Sequence, residues 1–374
     1  MRPLKVCIIG LKCFDHIAQN PLPRYVGGIE TQLVVLARGL VQQGCEVSLV
    51  TYDHGQADEM HVDGVRVIKS YKPETGFPVL RNFHPRSTGV WRGMRRADAD
   101  VYLQMGAGLE TGQVGLGCSL VGGRRRQFIF CLASDSDVGF EESGWEGKAY
   151  QRGVLRADRI VAQTKAQRAG IQRALGLEAE VVPMAVFPPA ASEGRRMSTR
   201  DSSAVHILWI GRIIPGKRFE WLLETARRCP EFHFDIAGAP NRDSSYASAL
   251  LEDASRIANV TVHGRVSGEE LSTLYKKGRL LCCTSELEGF PTTFLEAWSC
   301  GMPVVTTFDP DHVVAQHEIG RVAANLDGII SHLRDLIADP PGYDQISRAA
   351  TDYFEQNHTV ESVSRRFRLL LEER

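Results

Sequence analysis

The feature that most narrows the possible folds is an alternation of short apolar runs with longer amphipathic ones, begun, broken once and begun again. The first run, "VCIIG" (6–10), is apolar throughout, as a strand buried on both faces must be. "IETQLVVLARGLVQQG" (29–44) follows with apolar residues at helical spacing and stops at Gly44. "EVSLV" (46–50) comes next, so strand, helix and parallel strand make a βαβ unit. "VRVIK" (65–69), "DVYLQ" (100–104), "QFIFCL" (127–132) and "RIVAQ" (159–163) continue the pattern.

The break is "FPPAASEGRRMSTRDSSA" (187–204), rich in Pro, Ser, Arg and Gly and without hydrophobic period, which reads as a linker. Beyond it the alternation restarts with "VHILWIG" (205–211), "FHFDIAG" (232–238), "VTVHG" (260–264), "RLLCCTS" (279–285) and "PVVTT" (303–307). The expected fold is α/β, two doubly wound Rossmann-like domains facing across a cleft. They span 1–186 and 205–356, with a C-terminal helix at about 357–374 packing back on the first. Ligands of open α/β sheets bind beyond the carboxyl ends of the strands, which places the chemistry there.

A net charge of −1 gives no global field for nucleic acid. The nine cysteines contain no C-x-x-C pair, which argues against a zinc knuckle or a thioredoxin-like centre and for reduced thiols in a cytoplasmic protein. "MRPLKVCIIG" is too short an apolar run for a signal peptide or a span, so any membrane contact is expected to be peripheral.

Three stretches carry candidate chemistry. In "WIGRIIPGKRFEWLL" (209–223) a strand ends at Gly211, and Arg212 and Lys217 follow before a helix, as an anion site requires. In "SELEGFPTTFLEAW" (285–298) Gly289 permits a turn and Pro291 or Thr292 starts a helix whose first amides suit a phosphate. Glu288 lies before that turn and Glu296 after it, where a carboxylate can accept hydrogen bonds from vicinal hydroxyls. Glu286 is expected to be solvated or paired locally. In "PRYVGGIETQ" (23–32) Gly27 and Gly28 precede a helix and allow close backbone approach to a ligand.

Together these residues resemble the retaining glycosyltransferases of family 4, with the GT-B fold. The E-x7-E signature stands as Glu288-Gly-Phe-Pro-Thr-Thr-Phe-Leu-Glu296 and continues into "AWSCGMPVV"; Gly211-Arg212-x4-Lys217 matches the diphosphate-binding element, and Gly27-Gly28-Ile-Glu30 the N-terminal glycine loop. The resemblance implies transfer of a hexose-type sugar from a nucleoside diphosphate sugar to a saccharide or lipid-linked saccharide, in cell-surface polysaccharide or glycolipid synthesis. It implies a catalytic set of Arg212, Lys217 and Glu288, with Arg212 and Lys217 on the diphosphate and Glu288 on the donor sugar. Glu296 is implied on the ribose, Gly289, Phe290, Pro291 and Thr292 near the phosphates and sugar, and Gly27, Gly28 and Gly211 at close backbone contacts. Gly264 and Arg265 fall where the family places the base. No cofactor and no essential metal is implied. The three Asp-x-Asp pairs, Asp98/Asp100, Asp135/Asp137 and Asp309/Asp311, are read as solvated loop acids rather than metal ligands.

The sequence departs from the family at three places. Where a His often follows the strand "FIFCL", this chain has Ser134 and Asp135, the candidates for the acceptor or sugar side. Arg218 replaces the common Gly after the lysine, and Met184-Ala185 the usual Asn-Gly. Two alternatives share the architecture: a nucleotide-sugar epimerase or hydrolase, and an inactive sugar-nucleotide-binding subunit. A basic cluster of Arg81, Arg86, Arg92, Arg95, Arg96, Arg124, Arg125 and Arg126 is a candidate contact with anionic lipid at the inner face of the plasma membrane.

Overall fold

Strands that are apolar along their whole length need helices on both sides, and both halves of the chain build that arrangement. The computed structural model describes residues 2–21, 23–25, 27–77, 80–121, 126–138, 144–189, 204–240 and 244–372. The chain divides into two compact units, Met1–Ala185 with Val360–Arg374, and Val186–Thr359.

The first unit holds β1 (Lys5–Ile9), β2 (Glu46–Thr51), β3 (Glu59–Val62), β4 (Val65–Lys69), β5 (Val101–Met105), β6 (Gln127–Cys131), β7 (Arg159–Ala162) and β8 (Glu180–Val181). They form one sheet in the order β3-β4-β2-β1-β5-β6-β7-β8. Among the described residues, only the β3–β4 pairing is antiparallel. Val6, Ile8, Leu49 and Leu103 point into one core layer, and Cys7, Tyr102, Phe128 and Phe130 into the other. The helix Val360–Glu372 belongs to this unit and lies on the helix Gly28–Gln42. The two approach closely at Gly39, where a Cβ would come within 2.8 Å of Ser364 Cβ, and the Arg368 guanidinium caps the carbonyl of Gln43.

The second unit holds β9 (Val205–Ile210), β10 (Phe232–Ala237), β11 (Val260–Gly264), β12 (Leu280–Cys283), β13 (Val304–Thr306) and β14 (Gly320–Val322). All run parallel, in the order β11-β10-β9-β12-β13-β14. The chain winds outward from β9 through β10 and β11, then returns to the other side of β9 at β12. The carboxyl ends of β9 and β12 therefore flank the topological switch point, where open α/β sheets bind ligands.

The short strands β3, β8 and β14 were not expected from the sequence. They lie at or beside sheet edges, and the burial of β3 alternates between exposed and half-buried, so none needs an apolar run. All nine cysteines are free thiols, seven of them buried.

Candidate active site

The two motifs that flank the switch point are tied to each other by hydrogen bonds. After β9 the chain passes Gly211 and Arg212 into a short turn at Pro215–Lys217. After β12 it passes Thr284 to Pro291 and enters the helix Thr292–Ser299. Thr284 Oγ1 donates to the Lys217 carbonyl at 2.6 Å, the Glu286 amide donates to the Gly216 carbonyl at 2.9 Å, and Trp209 Nε1 donates to Thr284 Oγ1 at 3.2 Å. The cationic loop and the acidic loop are thus one structural unit.

Within it, charges are unevenly matched. The Lys217 ammonium is ion-paired with Glu288, and both side chains are largely shielded, 20% and 17% exposed. Arg212 is exposed and has no carboxylate partner among the described residues. Arg218 Nη2 pairs with Glu286 Oε1 at 2.9 Å, which gives Glu286 the local partner expected of it.

Arg218 also explains its own departure from the family pattern. Its backbone is left-handed (φ 46°, ψ 51°), the region where glycine is cheapest. The guanidinium lies 4.9 Å from the Trp221 ring centroid, so a cation–π contact and the Glu286 pair offset the backbone cost.

Pro291 is the residue before the helix Thr292–Ser299, in extended conformation (φ −66°, ψ 119°). Its carbonyl accepts the Phe294 amide at 3.1 Å. The amides of Thr292 and Thr293 are then the first-turn donors that a helix cannot satisfy internally. Phe290 is 8% exposed, with its ring centroid 5.2 Å from that of His358 and 6.2 Å from that of Trp298, so its side chain anchors the loop and leaves its backbone for contacts.

Glu296 follows one turn into the helix. Its Oε2 accepts from the Tyr275 hydroxyl at 2.7 Å. Burial lifts its carboxyl to about 7, against the opposing pull of the Tyr275 hydrogen bond. Tyr275, on the helix Gly268–Lys277, is buried and its hydroxyl is held far from ionisation by burial and by Glu296.

Sequence reasoning named Gly211 and Gly264 but missed Gly238 and the ledge that the three build. Three neighbouring strands end in glycine: Gly211 after β9, Gly238 after β10 and Gly264 closing β11. The Gly211 amide donates to the Ala237 carbonyl at 3.1 Å and the Gly238 amide to the Gly264 carbonyl at 2.8 Å. A Cβ on Gly238 would overlap the Gly211 carbonyl oxygen, and Gly264 is left-handed at φ 70°. The three form a ledge without side chains along the carboxyl edge of the sheet. The recurrence of Gly at successive strand ends was the available signal. Arg265, next to the ledge, is exposed.

In the first unit, Gly27 precedes the helix Gly28–Gln42 in extended conformation, and the Glu30 carboxylate folds back over it. Helix-dipole compensation by Glu30 therefore accompanies the glycine pair. After β6, Ser134 Oγ accepts from the Ser136 amide at 3.3 Å, and Asp137 Oδ2 accepts from the Ala133 and Ser134 amides at 2.7 and 3.1 Å. Asp135 opens the following single turn. The acid that shapes this loop is Asp137: read from the sequence as a solvated loop acid, it is instead buried, because its carboxylate is taken up by the loop's own amides.

The other Asp-x-Asp acids have separate partners. Asp98 pairs with Arg126 at 2.6 Å and Asp100 with Arg2 at 2.5 Å, while Asp309 accepts from the Val314 and Ala315 amides.

Residues 27–190 match the family profile described as Glycosyl transferase 4-like domain, and residues 204–339 the profile described as Glycosyl transferases group 1. The chain belongs to these group 1 and family-4-like glycosyltransferases of the GT-B fold. It is similar to the D-inositol 3-phosphate glycosyltransferase of Mycobacterium avium (strain 104), 28% identical over 245 residues that make up 60% of this chain and 57% of that protein. The corresponding protein of Mycobacterium sp. (strain KMS) is 26% identical over 204 residues, 48% of this chain and 46% of its own length. The chain thus spans about half the length of these relatives. Among solved structures, sucrose-phosphate synthase from Thermosynechococcus elongatus superposes with a TM-score of 0.77 at 16% identity, covering 100% of this chain and 99% of that one. Anabaena HepE in complex with UDP and glucose superposes at 0.74 with 15% identity, covering 99% and 100%. At these identities the structures establish the shared fold.

Proposed function

We propose that this chain transfers a hexose-type sugar from a nucleoside diphosphate sugar to a saccharide or lipid-linked saccharide acceptor, with retention of anomeric configuration. The observation that carries the reading is the hydrogen-bonded pair of loops at the switch point, with exposed Arg212, paired Lys217 and Glu288, and the helix start at Thr292.

Donor binding is an exchange of partners. The diphosphate takes Lys217 from Glu288 and engages Arg212 and the amides of Thr292 and Thr293. Glu288, released, accepts hydroxyls of the donor sugar, and Glu296 accepts those of the ribose. The glycine ledge, with Gly264 and Arg265, receives the base, and Gly27 and Gly28 contribute backbone contacts. Chemistry then breaks the bond between the anomeric carbon and the leaving phosphate oxygen and forms one to the acceptor oxygen on the same face. The acceptor proton passes to the leaving phosphate, and Arg212 and Lys217 stabilise the charge that develops there. Positioning and electrostatics carry the step, so neither a protein base nor a metal at the diphosphate is required. Ser134 and Asp135 are assigned to the acceptor or sugar side. A uridine nucleotide is the first to try, because HepE, of the same fold, is described with UDP and with UDP-glucose.

The test is nucleotide release from UDP-, GDP- and ADP-sugars with and without saccharide or lipid-linked acceptors, with proton NMR of the product anomer. Acceptor-dependent release with retained configuration supports the reading. Release indifferent to every acceptor indicates a hydrolase or epimerase, and tight binding without turnover a sugar-nucleotide-binding subunit.

We assign the reaction to the inner face of the plasma membrane, in cell-surface polysaccharide or glycolipid synthesis. Among the described residues no helix is long and apolar enough to cross a membrane. The basic cluster divides in the structure. Arg96 pairs with Glu59 and Arg126 with Asp98, Arg86 donates to Asn82, and Arg124 and Arg125 lie outside the described residues. Arg81, Arg92 and Arg95 are exposed, and Phe77, Leu80 and Phe83, in the segment just before the helix Thr88–Ala97, are 80%, 62% and 62% exposed. Cations beside exposed apolar side chains suit an anionic bilayer surface. Sedimentation with anionic vesicles but not neutral ones at low salt supports the assignment; equal sedimentation with both contradicts it.

A further inference from the structure

Away from the two loops, the second sheet gathers three imidazoles around one carboxylate. In parallel register His206 of β9 stands beside His233 of β10, and Asp235 of β10 beside Thr261 of β11. Alternation along the strands puts these four side chains on one face, while Ile207, Trp209, Phe234 and Ile236 enter the core on the other. A register shift in β11 opposite Ile236 and Ala237 accompanies the turning of His263 to the same carboxylate.

Asp235 is only 2% exposed. Burial opposes its ionisation, but hydrogen bonds from His263 and His206 and the nearby charge of Lys277 outweigh that and hold its carboxyl below the ordinary value. Asp235 Oδ2 is 2.7 Å from His206 Nδ1 and Oδ1 is 2.8 Å from His263 Nε2. The Lys277 ammonium is 3.7 Å from Oδ2. The His206 and His233 rings are 4.9 Å apart, and His233 Nε2 lies 2.9 Å from Thr261 Oγ1. One ligating atom each from His206, His233 and Asp235 fall within 4.8 Å of one another.

We propose that His206, His233 and Asp235 form a binding site for a first-row divalent ion of the zinc type. Two imidazole nitrogens and one carboxylate oxygen are the donor set such ions favour, with water completing the coordination. The surroundings are those of a metal centre: Thr261 orients His233 and His263 orients Asp235. Lys277, with a side chain 47% exposed at the end of its helix, is the counter-charge that the ion displaces into solvent. The ion bridges β9 and β10, and β11 is tied to them through the Thr261–His233 and His263–Asp235 hydrogen bonds; the carboxyl ends of these three strands form the glycine ledge. The site is separate from the diphosphate loops, and its existence does not depend on the transferase reading.

The test titrates cobalt(II), then zinc(II), into the EDTA-treated full-length protein. The expected result is one saturable equivalent with visible d–d bands and no thiolate charge-transfer band, which separates this site from the nine cysteines. A His206→Asn/His233→Asn double variant should lose at least about 100-fold in affinity. Lys277→Gln should gain about tenfold, because it removes a competing ammonium. Absence of saturable binding, thiolate bands, or binding indifferent to the double variant would overturn the proposal. Should the double variant fail to fold, Lys277→Gln decides, and unchanged affinity there overturns it equally.

Discussion

Lys217 and Glu288, 71 residues apart in sequence, neutralise each other across the two loops at the switch point. The pair sets the two proposed donor contacts in competition, since Lys217 cannot hold a phosphate while it holds Glu288. Glu288→Gln keeps the shape and removes the competitor. It should bind a bare nucleoside diphosphate several-fold more tightly than wild type by calorimetry, yet lose about 100-fold or more in turnover for want of its sugar contact. Weaker diphosphate binding in this variant would refute the exchange.

Glu296 gives a pH dependence of known sign. Its carboxyl is raised from an ordinary 4.5 to about 7 by burial, against the Tyr275 hydrogen bond. A raised acid stabilises the fold fully below the ordinary value, and that contribution is lost as pH climbs through about 7. Glu296→Gln stays neutral throughout, so its melting temperature should gain on wild type as pH rises from about 5 to 7.5. Nucleotide affinity of wild type should rise over the same window as the carboxylate forms, and that of the variant should stay flat.

Arg218 separates backbone from side-chain effects. Arg218→Gly relieves the left-handed strain while losing the Trp221 and Glu286 contacts; Arg218→Ala loses the contacts and keeps the strain. The alanine variant should be the less stable of the two by about 1 kcal/mol in denaturant unfolding. Equal stabilities would mean the strain is not there.

Gly238→Ala tests the ledge. A methyl group there meets the Gly211 carbonyl oxygen, so the backbone entering the Arg212 loop must move. The expected result is a folded protein, by circular dichroism, whose nucleotide affinity falls about tenfold or more.

The architecture was legible because parallel strands buried on both faces leave continuous apolar runs, and the helices between them keep their period. The edge strands β3, β8 and β14 leave no such run. At the site, the spacing from Glu288 to Glu296 located both residues on either side of a helix start, since that relation is local. Their partners were not legible: Lys217 reaches Glu288 from another strand end, and Tyr275 reaches Glu296 from the preceding helix. The arginine cluster shows the same limit, because a sequence gives the charge of Arg96 and Arg126 but not the carboxylates Glu59 and Asp98 that take it up.

The most direct measurement is calorimetric titration of UDP, GDP and ADP into wild type and an Arg212→Ala/Lys217→Ala variant, both checked for native folding. The account predicts one site per chain for at least one nucleotide in wild type, weakened at least about 100-fold in the variant. Binding of equal strength in the two proteins would show that the nucleotide diphosphate is held elsewhere and would contradict the site assigned here.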